Sequence, residues 1–398
     1  MDPKERKRKV SVTKTMSNES QIDEKALELS IVMPCLNEER TVGSCIVQAK
    51  TFLSSSKING EIIIADNGST DHSVEIASTN GAVVIHVEEK GYGNALRAGF
   101  LAARGKYIIM ADADESYDLL HLDGFIEKLR GGYELVMGNR FKGGIKKGAM
   151  PWHHKYIGNP ILSFIGKLFF KTPANDFHCG LRGFAKEAII KMNLQTTGME
   201  LASEIVIKAS ILDMKVCEIP TTLSPDGRDR PPHLRSFRDA WRHFRFLLLF
   251  SPRWLFLYPG LIMMGIGLFS AILLLSSPRV HSLLYSSAAM IIGFQLVVFA
   301  TFTKAFVINE ELMPEDPRLN WYFQHITLEV GAITGLALLL LGIGGTFYAY
   351  KIWETRLFGP LDPANTMRIV IPSVTSLALG AQIVFSSFFL SVLGLKRR

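Results

Sequence analysis

The sequence is poor in cysteine and lacks the common nucleotide-binding loops. Among its 398 residues, no two cysteines form a C-x-x-C pair. The four cysteines are Cys35, Cys45, Cys179 and Cys217. Their wide separation argues against a metal-binding knuckle or a disulfide framework, and favours reduced thiols in the cytosol. There is no G-x-x-x-x-G-K-[ST] loop, and Gly91 and Gly93 lack the third glycine of a dinucleotide-binding turn because position 96 is Leu96.

The beginning of the chain has no apolar stretch of the signal-peptide type. Residues 1–18 are polar and basic instead, and we expect residues 1–25 to form a disordered basic tail. Contact of this tail with anionic lipid headgroups is an alternative to simple solvation.

Long apolar runs are confined to the second part of the chain. They cover residues 254–277, 283–307, 327–350 and 369–395. Each exceeds the roughly 20 residues that cross a bilayer core. We therefore predict an all-α transmembrane domain of about four helices over residues 254–398. Arginines before the first run and lysine and arginine after the last one predict that the catalytic domain and both termini lie on the cytoplasmic side.

Strands alternate with helices in the first part of the chain. Apolar runs at residues 27–33, 61–65, 82–87 and 107–111 read as strands, with helical patterns between them. This alternation predicts a Rossmann-like α/β domain with a mostly parallel sheet. Ligands bind outside the carboxyl ends of the strands in such sheets.

Acidic side chains follow three of these predicted strands. Glu38 comes after the first, Asp66 after the second, and Asp112 and Asp114 after the fourth, so we expect them to converge at one edge of the sheet. Carboxylates next to a buried strand are costly to desolvate unless a positive charge is present. Mg²⁺ or Mn²⁺ fits this requirement, and Asp112 and Asp114 would share a face if the strand continued through them. A turn capped by acids is the alternative.

Five motifs follow one another in this part of the chain. They are P-x-L-N-E at residues 34–38, D-N-G-S-T-D at 66–71, G-x-G-x-A at 91–95, D-A-D at 112–114 and G-N-R-F at 138–141. With them the chain resembles family 2 glycosyltransferases of the GT-A fold, and within that family the polyprenyl-phosphate hexosyltransferases such as dolichyl-phosphate mannose or glucose synthases. The resemblance implies a catalytic domain over residues 26–225. It also implies inverting transfer of a hexose from a nucleotide-diphosphate sugar to a polyprenyl phosphate.

The resemblance also implies a role for individual residues. Glu38 and Asp66 would hold the ribose and base, Asp112 and Asp114 the metal on the diphosphate, and Arg140 would lie beside the phosphates. The catalytic residues would be Asp112, Asp114 and Arg140. The full nucleotide-sugar set would be Pro34, Leu36, Glu38, Asp66, Asp112, Ala113, Asp114, Arg228 and Arg230. Arg228 and Arg230 lie where the family has a mobile loop over the diphosphate.

The acceptor phosphate is expected at Arg140, Lys155, His154 and Arg182. The family carries an arginine after a conserved tryptophan, and Lys155 is the nearest substitute after Trp152, with His154 behind it. Arg182 belongs to residues 176–184, which resemble the family's D-x-x-S-G-x-R-x-F stretch. Residues 158–172 are apolar and too short to span a bilayer, so they form either an interfacial segment or a buried core helix.

One departure from the family pattern and one basic segment complete the interpretation. Residues 115–118 differ from the family after the D-x-D motif, which leaves a UDP-glucose or a GDP-mannose type of donor open. Residues 226–253 are rich in arginine and interleaved with large apolar residues, which predicts an interfacial amphipathic helix at a membrane rather than a nucleic-acid surface. A homo-oligomer is compatible with the sequence.

Two other functions compete with hexosyl transfer to a lipid. A processive polysaccharide synthase would carry Q-x-x-R-W beside the membrane, and the sequence after Gln324 does not match this motif. A catalytically inactive GT-A domain could instead serve as a membrane scaffold.

Overall fold

The computed structural model describes residues 27–228, 236–309 and 327–394. The chain divides into two compact units, Met1–Leu247 and Leu248–Arg398. The predicted basic tail and Arg230 lie outside the described residues.

A seven-stranded sheet forms the centre of the first unit. Its strands are β1 (Leu29–Cys35), β2 (Gly60–Asp66), β3 (Val83–His86), β4 (Tyr107–Met110), β5 (Leu135–Asn139), β6 (Arg182–Ala185) and β7 (Val216–Pro220). They lie in the order β3-β2-β1-β4-β6-β5-β7. All neighbours are parallel except β6, which is antiparallel to both β4 and β5. The predicted mostly parallel sheet is confirmed.

Helices connect the strands of this unit. They are α1 (Val42–Ser55), α2 (Ser73–Thr79), α3 (Tyr92–Ala102), α4 (Asp123–Arg130), α5 (Arg140–Gly143), α6 (Asn159–Phe170), α7 (Lys186–Met192), α8 (Leu201–Ile211) and α9 (Ser236–Leu249). β1 lies between β2 and β4 and is almost fully buried, as expected for a strand covered on both faces. Its apolar side chains pack against the inner face of α1.

The first strand extends beyond the point at which the sequence predicted its end. The predicted strand of residues 27–33 ends directly before Pro34, but β1 continues through Pro34 to Cys35. Pairing with β4 ends at Val32, so no strand on that side needs a hydrogen bond from position 34. Pairing with β2 continues to the end of the strand, and the Cys35 carbonyl accepts from the Asn67 amide at 2.9 Å.

Four apolar helices make up most of the second unit. They are α10 (Tyr258–Leu274), α11 (Val280–Asn309), α12 (Leu328–Thr355) and α13 (Pro363–Gly394). A turn of wider helix, Arg253–Leu257, leads into α10. All four helices are long and apolar enough to cross a membrane, with α10 counted together with this turn. The predicted count of about four helices of membrane-spanning length is confirmed for the described residues.

Small residues allow α12 and α13 to pack closely. A Cβ atom on Gly335 would lie 2.6 Å from the Val384 side chain, and one on Gly342 would lie 2.7 Å from the Ser373 carbonyl. Such close approach of backbones is the usual packing mode of helices in a membrane, where no hydrophobic effect drives association.

Candidate active site

The acids predicted to converge follow the carboxyl ends of β1, β2 and β4. Arg228 joins two of them: its Nε lies 3.0 Å from Glu38 Oε2, and its Nη2 lies 2.9 Å from Asp114 Oδ2. Glu38 and Asp114 are both buried. The structure therefore brings together residues that are far apart in the sequence, and one guanidinium balances both charges.

Asp114 is held by a turn and not by strand alternation. A strand that continued through Asp112 and Asp114 would place both on one face, but β4 ends at Met110. Asp114 Oδ1 instead accepts a hydrogen bond from the Ser116 amide at 3.0 Å and another from the Ser116 hydroxyl. Glu115, between them, has a φ of 62°. This left-handed conformation is strained for a residue with a side chain, and such strain is found at functional sites.

Asp112 is fixed by a phenol on one side and a glycine on the other. The Tyr92 hydroxyl donates to Asp112 Oδ1 at 3.0 Å. A Cβ atom on Gly180 would lie only 2.3 Å from Oδ2, so this carboxylate requires a glycine beside it. Burial and the neighbouring charge of Asp114 raise the pKa of Asp112 to about 6. A cation bound beside Asp112 would favour its ionised form.

These carboxylates fit a hard divalent cation that shares its coordination shell with a substrate. No group of three or more histidine, cysteine or acidic side chains in the described residues is arranged to hold a metal ion. Mg²⁺ and similar ions are commonly bound by one or two carboxylates, with waters and substrate phosphates completing the shell. Tyr92 leaves Oδ2 of Asp112 for such an ion, while Asp114 pairs with Arg228.

The other predicted nucleotide-sugar residues lie on the same edge. Pro34 is in β1, Leu36 follows it, and Ala113 is buried with its carbonyl accepting from the Thr41 hydroxyl at 2.7 Å. Both carboxylate oxygens of Asp66 accept amide hydrogen bonds from its own turn, at 3.2 and 3.0 Å. The structure thus shows Asp66 capping the turn, and its contact with a nucleotide stays a prediction.

A cavity of about 320 Å³ opens beside these acids. Its walls include Glu38, Thr41, Thr70, Asp71 and Arg228. Because the loops after β1 and β2 form most of this lining, the cavity lies where a doubly wound sheet receives its ligand.

Arg140 follows β5 and is buried in an ion pair. Its Nε and Nη2 each donate to the Asp176 carboxylate at 2.7 Å, and its own backbone amide donates to the same group at 3.0 Å. These bonds leave Nη1 for another anion. The charge of Arg140 favours the ionised form of Asp112. Burial is the main reason why the pKa values of His154 and His178 are lowered, and the charge of Arg140 lowers them further. Arg140 is therefore a buried cation whose charge acts both on Asp112 and on two histidines.

The predicted acceptor residues occupy different surroundings. His154 and Lys155 lie on a turn of wider helix, His154–Gly158, directly before α6. Arg182 is fully buried in β6 and donates to the carbonyls of Cys179, Phe177 and Ala202 at 2.8, 2.9 and 2.7 Å. Arg182 has no exposed surface, so it orders this segment of the chain in the described state. Its contact with an acceptor phosphate stays a prediction.

The helix α6 exposes a face of large apolar side chains. Ile161, Phe164 and Leu168 are 51%, 65% and 45% exposed, whereas Ser163 and Gly166 on the opposite face are buried. Of the two alternatives for residues 158–172, the buried core helix is therefore wrong. An exposed apolar face of this size is typical of a surface that meets another molecule or a membrane.

The helix α9 buries both polar and apolar side chains. Asp239, His243, Phe246 and Leu247 are buried, while Trp241 is 59% exposed. The predicted helix is present over residues 236–249, and its buried side chains are polar as well as apolar. His243 lies against α8, with its Nδ1 2.8 Å from the Ser203 hydroxyl.

Sequence reasoning missed several residues that shape this site. Tyr92 was overlooked because it occupies a variable position of the G-x-G-x-A motif. The glycines around it allow close packing: a Cβ on Gly91 or Gly93 would lie 2.2 or 2.5 Å from a carbonyl of Thr197 or Thr196. Asp176 was visible within a recognised motif, but only the structure shows that it holds Arg140.

Comparison with known proteins identifies the family. Residues 30–192 match the model of glycosyl transferase family 2, and residues 301–394 match that of the glycosyltransferase family 2 C-terminal transmembrane region. The low-salt glycan biosynthesis hexosyltransferase Agl6 of Haloferax volcanii is 37% identical over 376 residues, which are 92% of this chain and 89% of that protein. The dolichyl-phosphate hexose transferase of the same organism is 29% identical over 196 residues, 48% of this chain and 81% of that protein.

One similar solved structure is glucosyl-3-phosphoglycerate synthase from Mycobacterium tuberculosis, in complex with Mn²⁺, uridine diphosphate and glucosyl-3-phosphoglycerate. The alignment covers 57% of this chain and 81% of the chain of that structure, with 19% sequence identity and a TM-score of 0.45. The Agl6 relationship extends over both units of the chain, and the two family models match one unit each. The chain thus belongs to glycosyltransferase family 2, as an integral membrane glycosyltransferase with a GT-A catalytic domain.

Proposed function

We propose that the protein transfers a hexose from a nucleotide-diphosphate sugar, of the UDP-glucose or GDP-mannose type, to a polyprenyl phosphate. The two relatives in Haloferax volcanii, a hexosyltransferase and a dolichyl-phosphate hexose transferase, support this substrate class. The catalytic domain and both termini would lie in the cytoplasm.

The position of Arg140 is the observation that carries this proposal. Its charge acts on Asp112 and also on His154 and His178. A reaction between a phosphate and a sugar diphosphate requires two anionic groups to approach each other. A buried cation whose charge acts on both sets of residues would stabilise two such anions.

The chemistry needs little help in activating the nucleophile. A phosphate monoester has its second pKa near 6 and is largely dianionic at neutral pH, so no strong general base is required. A phosphate oxygen would attack the anomeric carbon in line with the bond to the diphosphate. The new carbon–oxygen bond forms as the old one breaks, the nucleoside diphosphate departs with the bonding electrons, and the anomeric configuration inverts.

Protein side chains would stabilise the charge that moves onto the leaving group. Asp112 and Asp114 would hold Mg²⁺ or Mn²⁺, which when bound neutralises part of the diphosphate charge. Arg228 would exchange its carboxylate partners for donor phosphates, and Arg140 would direct Nη1 toward the reacting phosphates. Arg230 would act in the same loop as Arg228.

The lipid acceptor would approach along the exposed apolar face of α6. This face follows His154 and Lys155 directly in the chain, so a phosphate near those residues would have its prenyl tail beside Ile161 and Phe164. A soluble acceptor without a prenyl tail would not need the exposed apolar face of α6.

Transfer of label tests the proposal. Purified full-length protein in detergent is incubated with labelled sugar nucleotides, a polyprenyl phosphate and Mn²⁺ or Mg²⁺, and the lipid fraction is extracted. Label in a lipid that carries one hexose supports the proposal. Label in a polymer would indicate a processive polysaccharide synthase, and no product from any common donor would indicate a scaffold.

Orientation is tested separately by single-cysteine accessibility. A cysteine placed in the catalytic domain should react with an impermeant reagent only after the cells are opened. Reaction in intact cells would place the domain on the outside.

A further inference from the structure

One buried nitrogen in the first unit has no partner. His178 Nδ1 is closed off from solvent, and no hydrogen-bond partner for it exists among the described residues. Leaving a buried polar atom unpaired costs free energy, so such an atom marks either strain or a place for an absent ligand. The surroundings of His178 distinguish the two possibilities.

His178 belongs to a segment that connects the reactive groups to the lipid-facing helix. Asp176, two residues earlier, holds Arg140 through two side-chain bonds. Phe177 packs against α6: its amide donates to the Ser163 hydroxyl at 3.2 Å, and a Cβ on Gly166 would lie 2.5 Å from its ring. Residues 176–178 therefore connect the ion pair of Arg140 to the helix with the exposed apolar face.

The other ring nitrogen of His178 contacts a hydroxyl group of α8. Its Nε2 lies 3.4 Å from the Ser203 hydroxyl, which in turn lies 2.8 Å from His243 Nδ1. The two imidazole rings meet nearly edge to face, with centroids 4.4 Å apart. The Ser203 hydroxyl carries one hydrogen and donates to only one of these two ring nitrogens. When it donates to His178 Nε2, the proton of the neutral His178 ring lies on Nδ1 and points away from α8.

The charges around His178 keep the ring neutral. Burial lowers its pKa well below the ordinary value, and the charges of His243, Arg140, Arg182 and His154 act in the same direction. A neutral N–H binds an anion without adding a further cation. It therefore leaves the attacking oxygen of a phosphate more nucleophilic than a lysine contact would.

We propose that His178 is a further binding residue for the phosphate of the lipid acceptor, to which it donates a hydrogen bond from Nδ1 beside Arg140. Ser203 and His243 are positioning residues that set its tautomer. The ligand is a phosphate monoester with a long apolar chain, the class named in the proposed function, on which this inference rests.

Amide substitutions separate the two ring nitrogens. In His178→Asn the side-chain NH₂ takes the place of Nδ1, in His178→Gln it takes the place of Nε2, and His178→Phe retains the ring without either. We expect His178→Phe and His178→Gln to raise the KM for polyprenyl phosphate about ten-fold, as for loss of one hydrogen bond to a charged group, with an unchanged KM for the sugar nucleotide. His178→Asn should recover most of the affinity.

A purely structural role would give a different pattern. Both KM values and the thermal unfolding midpoint would then change together, and His178→Asn would be no better than His178→Gln. Either result overturns the proposal.

A measurement without turnover separates this inference from the proposed function. Farnesyl phosphate in detergent micelles is titrated with each protein, and its ³¹P resonance is followed. The wild type should shift the resonance, and His178→Phe should need about ten-fold more protein to reach half of that shift. An equal titration midpoint with His178→Phe overturns the role of His178 and leaves the proposed function intact. Binding by the wild type without hexose transfer overturns the proposed reaction alone, and no binding by the wild type overturns both.

Discussion

A methyl group at position 180 should disable the site while leaving the fold intact. In Gly180→Ala the new Cβ would lie 2.3 Å from Asp112 Oδ2 and 3.1 Å from a ring carbon of Tyr117. Ordinary contact begins at about 3.4 Å, so the carboxylate must move by roughly 1 Å. That movement breaks the 3.0 Å bond from Tyr92, which holds the other oxygen in place.

The expected loss can be estimated from this displacement. A misplacement of about 1 Å in a reacting group costs on the order of 10²-fold in rate, equivalent to about 2.7 kcal/mol. We expect kcat/KM for hexose transfer to fall by about that factor in Gly180→Ala. The Mn²⁺ concentration for half-maximal activity should rise, because Asp112 is proposed to hold the ion.

Gly124→Ala provides a matched control in the same domain. A Cβ on Gly124 makes ordinary contact with Ile219 at 3.4 Å, and alanine favours the helix α4 in which it lies. This variant should retain full activity. If Gly180→Ala retained wild-type kcat/KM and the same Mn²⁺ requirement while Gly124→Ala behaved normally, the role assigned to Asp112 would be refuted.

Three further changes test other parts of the molecule. Arg228→Met removes the cation shared by Glu38 and Asp114, so the KM for the sugar nucleotide should rise about ten-fold in steady-state kinetics, and an unchanged value would contradict the exchange of partners. Burial lowers the pKa of His243 to about 4, so the unfolded chain binds this proton first as the pH falls below about 6.5. His243 should therefore contribute a loss of about 3 kcal/mol in stability between pH 6.5 and 4. His243→Asn lacks this contribution and should show a smaller drop in thermal midpoint over that range than the wild type. Gly335→Val places atoms against α13 and should destabilise the packing of α12 on α13 by about 1–3 kcal/mol. Gly344→Val is the control, because no atom lies within 4 Å of a Cβ at that position. It should leave the thermal unfolding midpoint in detergent unchanged.

The sequence predicted the architecture because local patterns decide it. Apolar runs of the right length placed the inner strands, and long apolar runs placed four helices of membrane-spanning length. The order of the five motifs along the chain indicated the family. The predicted end of β1 was wrong. The effect of Pro34 depends on whether a neighbouring strand pairs with it, and the sequence of one strand does not contain that information.

The contacts within the site depend on long-range geometry. No local signal predicts that Arg228 bridges Glu38 and Asp114, because 190 residues separate Arg228 from Glu38. The placement of Asp114 by Ser116 follows from a turn that begins where β4 stops. The roles assigned to individual residues from the family motifs stay predictions that the variants above address.

The most direct test of hexose transfer to a lipid phosphate is mass spectrometry of the extracted lipid product. Wild-type protein supplied with a sugar nucleotide, a polyprenyl phosphate and Mn²⁺ should yield a species heavier than the acceptor by one hexose residue, and Asp114→Asn should yield none. The absence of this species from wild-type reactions across the common hexose donors would contradict the account. Its formation by Asp114→Asn at the wild-type rate would contradict the assignment of the acidic pair.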